Sequence, residues 1–129
     1  MKKQRFLTLA EVLLIHQNQI EQYGGTYCLR DSGLLSSAIA MPESMFSGKY
    51  LHEDIFHMAA AYLFHICQNY PFIDGNKRVG IACCLVFLDI NGIEITDEND
   101  DLYDMVIQIT LGNLNKPEIA KMLKRISAL

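Results

Sequence analysis

Two stretches of this chain are apolar almost all the way round a helix, and only a short turn separates them. The first, EDIFHMAAAYLFHICQNY (53–70), runs into Pro71. Proline disfavours helix in the residue before it and cannot donate the next helical hydrogen bond. The second runs from Asn76 to about Asn91 and stops at Gly92. A helix with no polar side has nothing to show to water, so both must be buried. Two such helices joined by a tight turn form the centre of a fold, and the rest of the chain has to wrap around them.

What remains reads as helices able to do so. TLAEVLLIHQNQIEQYGG opens with Thr8 and Glu11 at capping-box spacing and stops at Gly24 and Gly25. Val12, Ile15, His16, Gln19, Ile20 and Tyr23 follow the helical period, with polar interruptions. Asp31 is placed to cap SGLLSSAIAM, which Pro42 ends. Residues 42–52, PESMFSGKYLH, carry Phe46, Gly48 and Tyr50 and suit a flap or hairpin. IEI (93–95) is a short extended link, and Thr96 or Asp97 caps a fifth helix reaching Leu111. NKPEIAKMLKRISAL gives a sixth, with Pro117 and Glu118 in its first turn. No internal repeat, low-complexity tract or linker interrupts the pattern. The expectation is one all-α domain over residues 1–129, about six helices with a short flap.

Composition removes several classes of function. Half of the 129 residues are hydrophobic, a fifth are charged and the net charge is −4. That is a globular balance, without the basic face a direct nucleic-acid partner requires. Apolar runs such as IACCLVFL (81–88) are too short to span a bilayer. Glu11 interrupts the apolar N-terminal region and no small-residue cleavage site follows, so a cytoplasmic location is expected, with no membrane partner. Cys28, Cys67, Cys83 and Cys84 form no C-x-x-C pair and read as buried, reduced thiols.

The turn between the two apolar helices, NYPFIDGNKRVG (69–80), carries the chemistry. A helix starting at Asn76 presents free N–H groups and the positive end of its dipole there. Gly75 lets backbone approach a ligand with no Cβ in the way. Lys77 and Arg78 lie in the first turn, where cations oppose the dipole, and their placement makes sense if an anion occupies the helix start. Asp74 would repel a phosphate unless a divalent cation lay between them. Phe72 turns inward to anchor the loop. Pro-x-x-Asp-Gly-Asn is also good turn chemistry for a plain helical hairpin. The two cations tip the balance towards a nucleotide-phosphate cradle with a metal carboxylate.

YPFIDGNKR resembles the signature of Fic/Doc proteins, H-x-F-x-[DE]-[GA]-N-[KG]-R, and the likeness extends over most of the chain. LIHQNQIEQYGG, a loop and DSGLLSSAI are similar to the N-terminal part of the death-on-curing (Doc) toxins. AAAYLFHICQNYPFIDGNKRVGIACCLVFLDING is similar to their core helix pair. The resemblance implies a small all-α domain that uses ATP, or another nucleoside triphosphate, and Mg²⁺ to modify a hydroxyl of a target protein. Most Fic enzymes transfer AMP, whereas Doc toxins phosphorylate elongation factor Tu, block translation and are restrained by a cognate antitoxin. Lys77 stands where AMP-transferring members have glycine, and Ile81 where they have a second arginine. The self-inhibitory motif [ST]-x-x-x-E-[GN] is absent, so restraint would come from a separate antitoxin.

Carried onto this chain, the resemblance implies catalytic roles for Tyr70, Asp74, Lys77 and Arg78, with Asp74 on the metal. It places Phe72, Gly75, Asn76, Lys77 and Arg78 around the nucleotide. One departure matters chemically, because Tyr70 occupies the position of the family's histidine base. A phenol that titrates near 10 is a phenolate about once in a thousand at pH 7. Loss of a general base costs about 10²–10⁴ in rate, so this form is expected to be catalytically impaired. A substitution that disarms a toxin fits, and so does a natural member that binds without catalysing. The alternative function is therefore a non-catalytic Fic-fold module that binds nucleotide or antitoxin.

Other residues have plainer readings. His57 and His65 lie on one apolar helix with no third ligand at suitable spacing, and read as hydrogen-bonded core or edge residues. His16 packs or braces the first helix, and His52 falls in the flap as an exposed residue. DENDD (97–101) is a helix-start cluster, and Lys121, Lys124 and Arg125 suit the last turns of the final helix. The six methionines are scattered core filler.

Overall fold

The computed structural model describes residues 4–96 and 101–127. In chain order it contains α1 (Leu9–Tyr23), α2 (Ser32–Ala40), one 3-10 turn (Met41–Glu43) and the paired strands β1 (Met45–Phe46) and β2 (Lys49–Tyr50). There follow α3 (Ile55–Asn69), α4 (Asn76–Ile90), α5 (Asp101–Thr110) and α6 (Lys116–Ile126). The described fold is all-α apart from the hairpin.

α3 is the axis: α4, α6, α2 and α5 all pack against it, while α1 lies on α4. Ala59, Ala60, Ala61, Tyr62 and Leu63 are consecutive and have no exposed surface, so every side of the helix is covered. Small residues bring α4 close. A Cβ added at Gly80 would meet Cys67 Sγ and Leu63 Cδ1 at 3.2 Å. Leu63, Ile66, Phe87 and Leu88 have zero exposure, and burying each contributes about 1.5–3 kcal/mol. The Tyr62 hydroxyl accepts from the Leu7 N–H at 2.8 Å and ties the N-terminal segment to this axis. Burial raises the Tyr62 ionisation well above the ordinary tyrosine value.

Local signals place most helix ends. Thr8 and Glu11 form the expected capping box of α1, and Asp31 accepts from the Leu34 N–H at the start of α2. Asp54 caps α3 through the His57 N–H, and Asn115 with Glu118 makes a second capping box on α6. The flap is a hairpin whose turn residues Ser47 (φ 52°) and Gly48 (φ 79°) are both left-handed, the geometry that suits twisted paired strands. Pro42 does not itself end α2; the helix stops at Ala40 and the proline sits inside the following 3-10 turn. Thr96 donates its N–H to Ile126, and Ile95 bridges Ser127, while the residues that would show whether Thr96 or Asp97 caps the fifth helix lie outside the described ones. α5 is described from Asp101; Asp97 and most of the DENDD run lie outside the described residues.

Two expectations need correction. Cys28 is exposed, whereas Cys67, Cys83 and Cys84 are buried as expected. Burial pushes the Cys67 and Cys84 thiols up to about 12, which keeps them protonated and unreactive. His52, expected to be exposed in the flap, is buried at 6% exposure. The reason is a long-range partner. Lys116 Nζ, in the first turn of α6, donates to His52 Nε2 at 3.1 Å and to His65 Nε2 at 3.0 Å.

That cluster sets an acid limit on stability. Burial first and the Lys116 charge second hold His65 down to about 4, and the same two causes lower His52. Below the ordinary histidine value of 6.5 the unfolded chain takes up protons that the folded chain refuses. The contribution of these imidazoles is complete above about pH 6.5 and is lost as pH falls towards about 4. Glu11 and Asp54, lowered from 4.5 and 3.8, lose their contributions at the foot of that window and below it. The melting temperature is expected to drop between pH 6.5 and 4.5, and His65→Gln should flatten the decline. An equally steep decline in the variant would remove His65 as its cause.

Candidate functional site

α3 ends at Tyr70, whose backbone is left-handed (φ 48°, ψ 54°), and the chain turns through Pro71 to Gly75 before α4 begins. Asn76 closes this turn from inside. Its side chain accepts from the Phe72 N–H and donates to the Phe72 carbonyl, both at 2.9 Å. Phe72 is 1% exposed and stacks on His16 of α1, with ring centroids 3.7 Å apart and planes 9° from parallel. The loop is thus pinned inward at one aromatic, as its sequence suggests.

The same histidine holds the next residue. His16 Nε2 donates to the Asp74 carbonyl at 2.9 Å, and the Asp74 Oδ2 accepts from the Thr26 N–H at 2.8 Å. Burial, and then the Arg78 charge, lower the His16 pKa, so the ring is neutral and donates through Nε2. No described residue bonds Asp74 Oδ1, which leaves one carboxylate oxygen for a ligand.

The helix start that follows is unusual for this chain. α1, α2, α3 and α6 are closed by the side chains of Thr8, Asp31, Asp54 and Asn115. α4 begins on Gly75 with no side-chain cap. Gly75 sits at φ 83°, which favours glycine, and a Cβ there would also press on Ile20 Cδ1 at 3.3 Å. Among the described residues, the first-turn N–H groups of α4 have no partner beyond the helix.

Tyr70, Asp74, Gly75, Asn76, Lys77 and Arg78 all line one cavity of about 410 Å³. Its other wall comes from Ile81 and from Tyr103, Val106 and Ile107 of α5. Among the residues expected around a nucleotide, Phe72 does not line it and works from behind as the anchor. The amide of Asn76 is engaged with Phe72, so its own N–H is what it offers the cavity. The two cations part company. Lys77 is exposed, whereas Arg78 donates to the Gly24 carbonyl at 3.0 Å and the Gln19 carbonyl at 3.5 Å. Its guanidinium also lies 5.6 Å from the Tyr23 ring centre. α1 has no basic residue in its own last turn, and Arg78 supplies one from α4.

His16 and the α5 wall are the contributions that reading the sequence missed. His16 stood out only as an apolar-face histidine, and nothing local announces a partner 58 residues away. The α5 residues follow an ordinary apolar period, which shows that a face is buried or half-buried but not against what. His57 and His65 are separate, as expected, but His57 gathers Asp54 at 2.9 Å and Glu53 at 3.9 Å away from the cavity.

An acid with a free oxygen, an uncapped helix start and a lysine beside a half-apolar cavity suit a magnesium-bound nucleotide phosphate. A family model described as the Fic/DOC family matches residues 6–88. The chain is 26% identical over 122 residues to the protein kinase doc of Escherichia phage P1, covering 95% of each chain. It is 36% identical over 78 residues to the toxin Doc of Mycolicibacterium smegmatis, covering 60% of each. Because the family match runs from Phe6 to Leu88, across the whole loop and nearly all of both helices that frame it, the chain belongs to the Fic/DOC family.

Proposed function

We propose that this protein is a Doc-like toxin of a toxin–antitoxin module, built to transfer phosphate or AMP from ATP to a hydroxyl of a target protein. The observation that carries this is the uncapped start of α4, opening with Asp74 and Lys77 on the cavity that Tyr70 overhangs. Asp74 Oδ1 would hold the magnesium ion, which neutralises phosphate charge when bound. The N–H groups of Asn76 and Lys77 bond phosphate oxygens, and the Lys77 ammonium balances the charge that develops on them. Arg78 adds a second positive charge from a fixed position, since its contacts with Gly24 and Gln19 restrain it. Tyr103 and Ile107 give the apolar remainder of the nucleotide a surface.

Tyr70 stands where the incoming hydroxyl must lose its proton, and a neutral phenol mainly donates hydrogen bonds. This form is therefore impaired in transfer while its phosphate site is complete. Elongation factor Tu is the target we favour, with the 45–50 hairpin pairing an extended segment of it. A cognate antitoxin supplies the restraint, acting in the cytoplasm. No helix among the described residues is long and apolar enough to cross a membrane. Tyr70 itself favours a second reading, a non-catalytic module that keeps nucleotide or antitoxin affinity.

Calorimetry with ATP, with and without Mg²⁺, tests the cradle. Asp74→Ala should weaken binding only when metal is present, and Arg78→Ala should weaken it in both conditions. Melting curves on both variants separate a lost ligand contact from loosening at the end of α1. Unchanged affinity in both would return the loop to an ordinary turn between helices.

A further inference from the structure

The chain leaves α3 through three consecutive carbonyls, and one short stretch before α2 holds all of them. The Arg30 guanidinium donates from Nη2 to the Asn69 carbonyl at 2.8 Å and from Nε to the Tyr70 carbonyl. The backbone N–H groups of Arg30 and Asp31 both donate to the Pro71 carbonyl, at 2.8 and 3.0 Å. α3 has no basic residue in its own last turn, so this cation arrives from outside the helix.

The conformation being held is not one tyrosine adopts freely. Ser47 and Tyr70 are the described non-glycine residues at positive φ, and Ser47 belongs to a hairpin turn. At α1, α2, α4 and α6 the C-cap N–H closes back onto its own helix. Tyr70 shows no such closure, so its turn lacks the local bond that fixes the other helix ends. A strained residue persists where its surroundings over-determine it. Here those surroundings are Arg30.

We infer that Arg30 is a positioning residue, which sets the backbone at position 70 so that the side chain there overhangs the cavity. The inference rests on the reading of position 70 as the point of proton transfer. Two donors in a rigid planar fork fix neighbouring carbonyls relative to each other, which a single ammonium does not. Tyr70 lines the cavity and Arg30 does not, so the effect of Arg30 on any bound nucleotide passes through the backbone.

The test uses the full chain with ¹³C-labelled tyrosine. The Tyr70 ring signal is assigned by its loss in Tyr70→Phe, and its position is recorded without ligand and with Mg²⁺ and ATP. In Arg30→Met the ligand-free signal is expected to move towards that of free tyrosine, and the shift caused by ATP to fall by at least about half. The ATP dissociation constant should stay within about twofold, since no nucleotide contact has been removed. Arg30→Lys, which keeps the charge but not the fork, should reproduce most of the signal change, and it decides the matter if Arg30→Met does not fold. In a Tyr70→His background, Arg30→Met should lower kcat for transfer by at least about tenfold with KM for ATP unchanged, as misplacing a reacting group does. A Tyr70 signal identical in the native chain and both Arg30 variants would overturn the inference, even if the variants melt earlier. If the native chain binds no ATP, the nucleotide reading of the cavity fails by itself, and the ligand-free signals still decide whether Arg30 sets position 70.

Discussion

Tyr70→His is expected to raise transfer from ATP by at least about a hundredfold, the lower bound for restoring a general base. The backbone favours the exchange. Position 70 is left-handed (φ 48°), a region in which histidine is several-fold enriched among non-glycine residues. The side chain is 47% exposed and lines the cavity, so an imidazole there meets no core packing and can reach the transferred group. A neutral imidazole accepts the hydroxyl proton near pH 7 and returns to neutrality afterwards. Because the swap touches no buried contact, the melting temperature should move by no more than a few degrees. ATP labelled separately at the α and γ phosphates, incubated with purified elongation factor Tu, gives the readout. Label from γ indicates phosphorylation and label from α indicates AMP transfer. The same substitution should turn a tolerated gene into one that stops growth unless its antitoxin is present. A folded, ATP-binding variant that transfers neither label would sink the enzyme reading and leave the binding module.

The second large effect is expected at Asn76. Its side chain is the only described partner of both the Phe72 N–H and the Phe72 carbonyl within the buried turn. Asn76→Ala leaves both backbone groups buried and unpaired, at about 1–3 kcal/mol each. It also frees the anchor whose ring stacks on His16 at 3.7 Å. The total, about 2–6 kcal/mol, is a large fraction of the stability of a domain this size. Asn76→Asp separates the two bonds, since a carboxylate still accepts from the N–H but sets an acceptor against the carbonyl. Denaturant midpoints for both variants, with ATP titrations beside them, give the comparison. If Asn76→Ala lost nucleotide binding at full stability, the amide would be working on the ligand rather than on the loop.

How much of this was legible in the sequence depends on the range of the interaction. The ends of α1, α2 and α6 follow from Thr8, Asp31 and the Pro117–Glu118 turn, because caps act within three or four residues. The burial of α3 and α4 follows from their unbroken apolar surface. Phe72 is legible as an inward anchor, since a lone aromatic in a polar turn has few other uses. What the sequence withholds is every pairing made across the fold. His52 reads as a flap residue until Lys116 of α6 is seen beside it. Arg78 looks misplaced when only the dipole of α4 is considered, and well placed once the carbonyl end of α1 comes into view. Arg30 sits in a connecting loop, and nothing near it in the sequence points to carbonyls 39 and 40 positions away. Side-chain chemistry is local; the choice of partner is not.

The hold of residues 16–31 on the 70–74 loop also decides where the molecule gives way first. His16, Thr26, Cys28, Arg30 and Asp31 together bond Asn69, Tyr70, Pro71, Ile73 and Asp74. The bonds made by Thr26 and by the Arg30 guanidinium lie at the surface, whereas the α3–α4 seam is closed on all sides. Segments with exposed hydrogen bonds and little buried apolar area open by themselves, at far lower free energy than the core. The end of α1 and the approach to α2 are therefore the first part of this hold to open, while Phe72 and the Asn76 amide keep the inner edge of the loop on α1 and α4. An encounter that lifts Tyr27 or Leu29, both exposed, would loosen the outer holds on residues 69–74 without entering the cavity or disturbing the helix pair.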